Sequence, residues 1–139
     1  MIVKNIGGNF YIRIDRGEEI IANIEIFCKD NKIKSGLISG LGSVTSAELG
    51  LYDLENKAYL KKEMNGIFEI ASMNGNISFM DGQPYLHIHT VLSDANCKTY
   101  GGHFAMGVVG ATCEIIVTPF NGKVSRFYSE EIGLNLLDI

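Results

Sequence analysis

The chain has 139 residues, of which 46% are apolar and 20% charged, and its formal net charge is -4 at pH 7. That length and balance fit one folded domain over residues 1–139 and exclude a disordered or fibrous chain. The negative charge gives no general attraction to a phosphate backbone, and no apolar run approaches the roughly 20 residues that a membrane-spanning helix needs. Three scattered cysteines, Cys28, Cys97 and Cys113, make no disulfide framework, and no secretory signal follows Met1. Both observations point to a reducing, cytoplasmic setting.

Along the chain, Asn9 to Ile14 alternates Phe10, Ile12 and Ile14 with Tyr11 and Arg13, the period-two pattern of a strand. Asp15-Arg16-Gly17-Glu18 then resembles a capping box and predicts a helix from about Gly17 to Asn31. Ile20, Ile21, Ile24, Phe27 and Cys28 fall on one face at helical spacing, and Lys29, Lys32 and Lys34 suit the negative end of the helix dipole. Gly40-Leu41-Gly42 lacks the third glycine of a dinucleotide-binding turn and no helical pattern follows it. It predicts a strand that bends through glycines into a second one over about Val44 to Tyr52. Strict alternation there puts Val44, Ser46, Glu48, Gly50 and Tyr52 on one face, with Ala47, Leu49 and Leu51 on the other.

After a turn at Asp53 to Asn56, strands are expected at Lys57 to Met64 and at Gly66 to Ser72. The lysines Lys57, Lys61 and Lys62 suit a solvated edge. Asn74-Gly75-Asn76 carries a hairpin signal before Ile77 to Met80. Ala111 to Phe120 and Val124 to Tyr128 are the last expected strands. The tail from Glu130 to Ile139 contains Leu134, Leu136 and Leu137, and is expected to dock on the domain or on a neighbouring subunit. One helix near the N-terminus and about eight strands predict an α+β domain built on a bent, largely antiparallel sheet.

All three histidines fall between Gln83 and Phe104. His87 and His89 lie two apart in a strand pattern, so both side chains leave one face, about 7 Å apart at a rise of roughly 3.3 Å per residue. Asp94-Ala95-Asn96 supplies turn chemistry, and the returning strand carries His103 back beside them. Three neutral imidazoles converging on one point form a ligand set suited to zinc or another divalent transition metal. A histidine titrating at its ordinary value of about 6.5 would release that metal below about pH 6. The alternative assignment for such histidines is core or surface residues without chemistry.

Three stretches together carry a resemblance. They are Ser39-Gly40-Leu41-Gly42-Ser43-Val44 leading to Ala47; Gly66-Ile67-Phe68-Glu69-Ile70-Ala71-Ser72-Met73-Asn74-Gly75; and Leu86-His87-Ile88-His89 with Gly101-Gly102-His103. Over nearly its whole length the chain resembles the PPC (plant and prokaryote conserved) domain family. The resemblance implies a single-domain homotrimer. It also implies a fold similar to that of acetolactate decarboxylase, a metalloenzyme whose metal is held by a His-x-His pair and a further histidine. His87, His89 and His103 match that pattern. In plant members the segment matching Gly66, Ile67, Phe68, Glu69, Ile70 and Ala71 is linked to partner contact, and Ile67 stands where the plant pattern usually has arginine. Plant members also carry Arg-Gly-Arg-Pro segments that grip the DNA minor groove. This chain has none, and its arginines are Arg13, Arg16 and Arg126.

Decarboxylating an acetolactate-like acid needs a metal to polarise the carbonyl and a cation to hold the carboxylate, and no arginine lies near the histidines in sequence. Glu48 and Glu114 are candidates for an additional oxygen ligand or an acid/base group, while Cys113 reads as a small core residue. Three functions therefore stay open: a trimeric metal-binding domain that binds or cleaves a small molecule, a DNA-associated protein, and a protein-interaction trimer with structural histidines.

Overall fold

The computed structural model describes residues 1–139. The elements are β1 (Ile2–Ile6), β2 (Asn9–Asp15), α1 (Ile20–Asp30), β3 (Gly36–Asp53), β4 (Ala58–Met80), β5 (Gln83–Ser93), β6 (Thr99–Pro119), β7 (Ser125–Ser129) and β8 (Leu134–Asp138). One sheet contains every strand in the order β1-β2-β6-β3-β4-β7-β8, and β5 pairs with both β4 and β6. Strands β3, β4, β5 and β6 thereby close on one another. All pairings are antiparallel except the single parallel contact of Phe79 with Ser125. The domain is thus sheet-dominated with one helix, and α+β describes it only loosely.

The expected breaks between short strands are absent, because β3, β4 and β6 run on for 18, 23 and 21 residues and bend instead. Asn74-Gly75-Asn76 is no hairpin: the three residues lie inside β4, opposite His89, Ile88 and His87. Gly75 is there for room. A Cβ on it would strike the His87 carbonyl oxygen and come within 2.7 Å of Ile88 Cγ1. A glycine inside a strand often marks such a close backbone approach.

The bends lie at register shifts between Gly40 and Gly42, between Val44 and Ser46, and between Ile70 and Ser72. The second of these corrects the predicted faces of β3. A bulge adds one residue and so inverts the alternation. Val44 is therefore buried together with Ala47 and Leu49, whereas Leu51, past the core's edge, is exposed.

The helix starts later than the capping box predicts. Glu18 does accept the Asp15 N–H, at 2.8 Å, but the Asp15 carboxylate accepts from Arg13 instead of from the helix. Glu19 caps, its carboxylate accepting from the Ile21 and Ala22 N–H groups and from Gly107 N–H of β6. One side chain thus fixes both the helix start and its distance from the sheet. The helix buries Ile20, Ile24, Phe27 and Cys28 against β5 and β6, where Ile14, Ile88, Leu92, Ile115 and Val117 complete the core. At the two ends of the chain, β1 turns through Gly7 and Gly8, both at positive φ, onto β2, and the apolar tail forms β8 against β7.

Candidate metal centre

Burial of alternate residues on β5 determines where its histidines go. Ile88 and Thr90 are buried, so His87 and His89 project from the opposite face. Strand β6 returns antiparallel with His103 directly opposite His89. On the other side β4 pairs Asn76 with His87 and Asn74 with His89. Gly102 lets β3 approach, since a Cβ on it would lie 2.8 Å from the Gly50 carbonyl oxygen. Tyr59 of β4 packs over Gly50 and stacks on the His103 ring, with centroids 4.7 Å apart. Tyr59 therefore limits the rotation of His103.

The potential ligand atoms of the three histidines all lie within 4.8 Å of one another. Nε2 of His87 and Nε2 of His89 are 3.2 Å apart. An ion bound tetrahedrally at about 2.0–2.1 Å sets its nitrogen ligands roughly 3.3 Å apart, so this pair already stands at ligand spacing. Nδ1 of His103 is buried without a hydrogen-bond partner. A buried polar atom left without a partner is uncommon and calls for an explanation, such as an ion. The residues fit a divalent metal on both counts.

The charge state fits as well. Burial, then the neighbouring His89, His103 and Arg126 charges, hold the His87 imidazolium down to a pKa of about 4. Burial and then His89 lower that of His103. Neutral imidazole is the metal-binding form. A depressed folded-state value means that the neutral ring persists at high pH and is lost only as pH falls through that value. The release expected below about pH 6 from an ordinary histidine therefore moves lower for His87. Zinc retention after dialysis should stay level from pH 8 to about 6.5 and fall towards pH 4, with more than one proton taken up per ion. Release already at pH 7 would contradict neutral, preorganised ligands.

Neither candidate carboxylate joins the convergent group. Glu48, half-buried on β3, pairs at 2.9 Å with Lys61 Nζ. Glu114 is exposed on β6 and lines a separate groove of about 440 Å³ with Arg13, Leu41 and Ile116. Cys113 is buried and its thiol is pushed up to about 12 by that burial, as suits a core residue. In the segment from Gly66 to Ala71, Ile67 is 77% exposed, Ile70 is buried and Phe68 packs edge-on to Tyr100. Gly66, Glu69 and Ala71 are exposed.

The histidines open into a cavity of about 740 Å³ whose wall also includes Tyr59, Lys62 and Tyr100. A smaller adjoining cavity of about 280 Å³ brings His87 and His103 together with Arg126. This arginine escaped the sequence reading because 23 residues separate it from the nearest histidine. The docking of the apolar tail was its one available signal. The parallel contact of Phe79 with Ser125 carries β7, and with it Arg126, to the cavity.

The family model of the Plants and Prokaryotes Conserved (PCC) domain matches residues 1–121. A solved structure from Bacteroides thetaiotaomicron, described as a candidate DNA-binding protein, is 31% identical and superposes with a TM-score of 0.96 over 99% of this chain and 96% of that one. A metal-containing protein from Archaeoglobus fulgidus is 37% identical, with a TM-score of 0.89 over 100% and 99% of the two chains. Acetolactate decarboxylase from Bacillus subtilis subspecies spizizenii shares the fold, at a TM-score of 0.58 and 12% identity over 84% of this chain and 54% of that one. Among curated proteins, the bifunctional protein GlmU of Synechococcus sp. strain JA-3-3Ab is 30% identical over 108 residues. That match covers 76% of this chain but 16% of GlmU's length. With the family model covering everything from β1 to the end of β6, the chain belongs to the Plants and Prokaryotes Conserved domain family.

Proposed function

We propose that this chain binds a divalent metal, with zinc the best match to three imidazoles, and uses it to hold a small molecule in the cavity beside His87, His89 and His103. The observation that carries the reading is the convergence of one ring nitrogen from each of the three histidines within 4.8 Å, with Nε2 of His87 and Nε2 of His89 3.2 Å apart. The metal-containing relative from Archaeoglobus fulgidus supports it. Such a metal supplies Lewis acidity towards a ligand oxygen. The chain's own residues do the rest: Tyr59 braces His103, Ile88 anchors β5 in the core, and the cavity admits a small organic molecule. Binding or a lyase-like reaction would both use this arrangement.

A ligand at one hundred times its dissociation constant stabilises the folded state by about 2.7 kcal/mol, a melting shift on the order of 8 °C for a domain this size. Zinc should therefore raise the melting temperature at pH 8, and a chelator should reverse the rise. A melting temperature indifferent to both would leave the histidines without a metal role.

We also propose a homotrimer, the assembly that the family resemblance implies. The outer face of β2, β3 and β6 exposes Tyr11, Leu37, Leu41 and Ile116, an apolar surface that association would cover. Sedimentation equilibrium giving the 15.3 kDa of one chain would contradict it.

DNA association is the second reading, because the Bacteroides relative is described that way. Here the net charge is -4, Arg13 is paired with Asp15, and Arg126 is committed to the cavity. DNA association predicts affinity falling linearly in log–log terms with salt, and a gel shift at low salt is its test.

A further inference from the structure

Residues beyond the family-model match, 122–139, form the β7–β8 hairpin, which supplies one wall of the smaller cavity through Arg126, Leu134 and Asn135. Arg126 is the charged residue of that wall. Its Nε–H donates to Ser78 Oγ at 2.6 Å, one Nη1–H to the Asn135 carbonyl at 2.6 Å, and one Nη2–H to Asn76 Oδ1 at 2.9 Å. The guanidinium lies 4.5 Å over the Tyr85 ring. Every one of these partners is neutral, and none of the ion pairs in the structure involves Arg126. Three of its five N–H groups are used, so two have no protein acceptor.

The walls around it repeat the pattern. Of the chain's 16 acidic residues, none lines the 740 Å³ cavity or the 280 Å³ cavity, whereas Lys62 lines the first and Arg126 the second. Glu25 of α1 lies at a different pocket, on the helix side of His103. A partly buried cation without a counter-ion is costly unless something negative completes it. A guanidinium with two free N–H groups matches the planar, bidentate geometry of a carboxylate.

We propose that the β7–β8 hairpin makes this an anion-selective site: a small carboxylic acid binds with its carboxylate on Arg126 and its other end at the three histidines. This rests on the metal reading for the histidine end only. Arg126 and the absence of acidic lining residues stand without it. The smaller cavity, of about 280 Å³, accommodates a small organic acid, and Leu134 and Leu136 offer it an apolar side.

The test is calorimetric titration of zinc-loaded and chelator-treated protein with lactate and pyruvate, with lactamide as the uncharged analogue and inorganic phosphate as the alternative anion. Lactate or pyruvate should bind and lactamide should not. Arg126→Gln should weaken the acids by at least about tenfold, the loss expected for a charge-assisted hydrogen bond, with zinc content unchanged. Arg126→Lys, which keeps the charge but not the fork, should fall between. The comparison of acid with amide on the unaltered protein needs no variant and so survives any folding defect in Arg126→Gln. Equal binding of acid and amide, undiminished binding by a folded Arg126→Gln protein, or phosphate binding tighter than either acid would overturn the proposal. Arg126-dependent acid binding that persists after chelation would support the anion site and show that holding the acid does not need the metal, whereas absence of zinc uptake would count against the metal reading alone. Zinc uptake without any acid binding would leave the metal reading and remove this one.

Discussion

Replacing His89 by alanine should lower zinc affinity at least about 100-fold while leaving the metal-free fold nearly untouched. The two halves of that expectation have separate causes. His89 is exposed and its nitrogen sits 3.2 Å from that of His87. Removing it leaves His87 and His103, and two imidazoles do not fill the three protein positions of a tetrahedral site; even partners one step removed from a metal cost ten- to a hundredfold when lost. An exposed side chain outside the core changes stability by about 0.5 kcal/mol or less. Zinc competition with a chromophoric chelator reads the first quantity, and urea unfolding in chelator reads the second. A His89→Ala protein that keeps its zinc affinity would remove His89 from the ligand set.

Gly75→Ala should destabilise the domain by roughly 3 kcal/mol or more, at the upper end of what overpacking costs. The new methyl group would meet the His87 carbonyl oxygen, Ile88 Cγ1 at 2.7 Å and Ile88 Cα at 2.9 Å. Two of these atoms are backbone, so relief requires β5 to move away from β4, and β5 carries two of the three convergent histidines. Loss of stability and loss of zinc affinity should therefore come together. Gly101→Ala is the control, because its methyl group would meet Thr90 O at 3.4 Å and Val91 Cγ2 at 3.6 Å, ordinary contact distances. If Gly75→Ala unfolds within about 1 kcal/mol of the parent in urea, the close approach of β4 to β5 is not as described.

Local chemistry made the three-histidine cluster legible before the fold was. A His-x-His pair on a strand, a turn at Asp94 and a glycine-rich return place His103 beside His89, and the register does so. The helix was legible from its apolar face, and its start was displaced because Asp15 is taken by Arg13 and Glu19 caps in its stead. What failed was the reading of glycine and asparagine as punctuation. At Gly75 the glycine serves close packing between strands, which a sequence window around residue 75 cannot reveal. The bulge after Val44 has the same character, since it depends on two neighbouring strands at once. Arg126 belongs with these: its position follows from a β7–β4 contact 46 residues apart, and its chemistry from a cavity wall that no local pattern announces.

The central claim is that His87, His89 and His103 hold one metal ion. Its most direct test is elemental analysis of untagged protein, as purified and after exposure to zinc followed by gel filtration at pH 8. The account predicts about one divalent ion per chain for the parent, and essentially none for a folded His87→Ala/His89→Ala double variant. No ion retained by the parent after zinc exposure, or equal retention by the double variant, would contradict it.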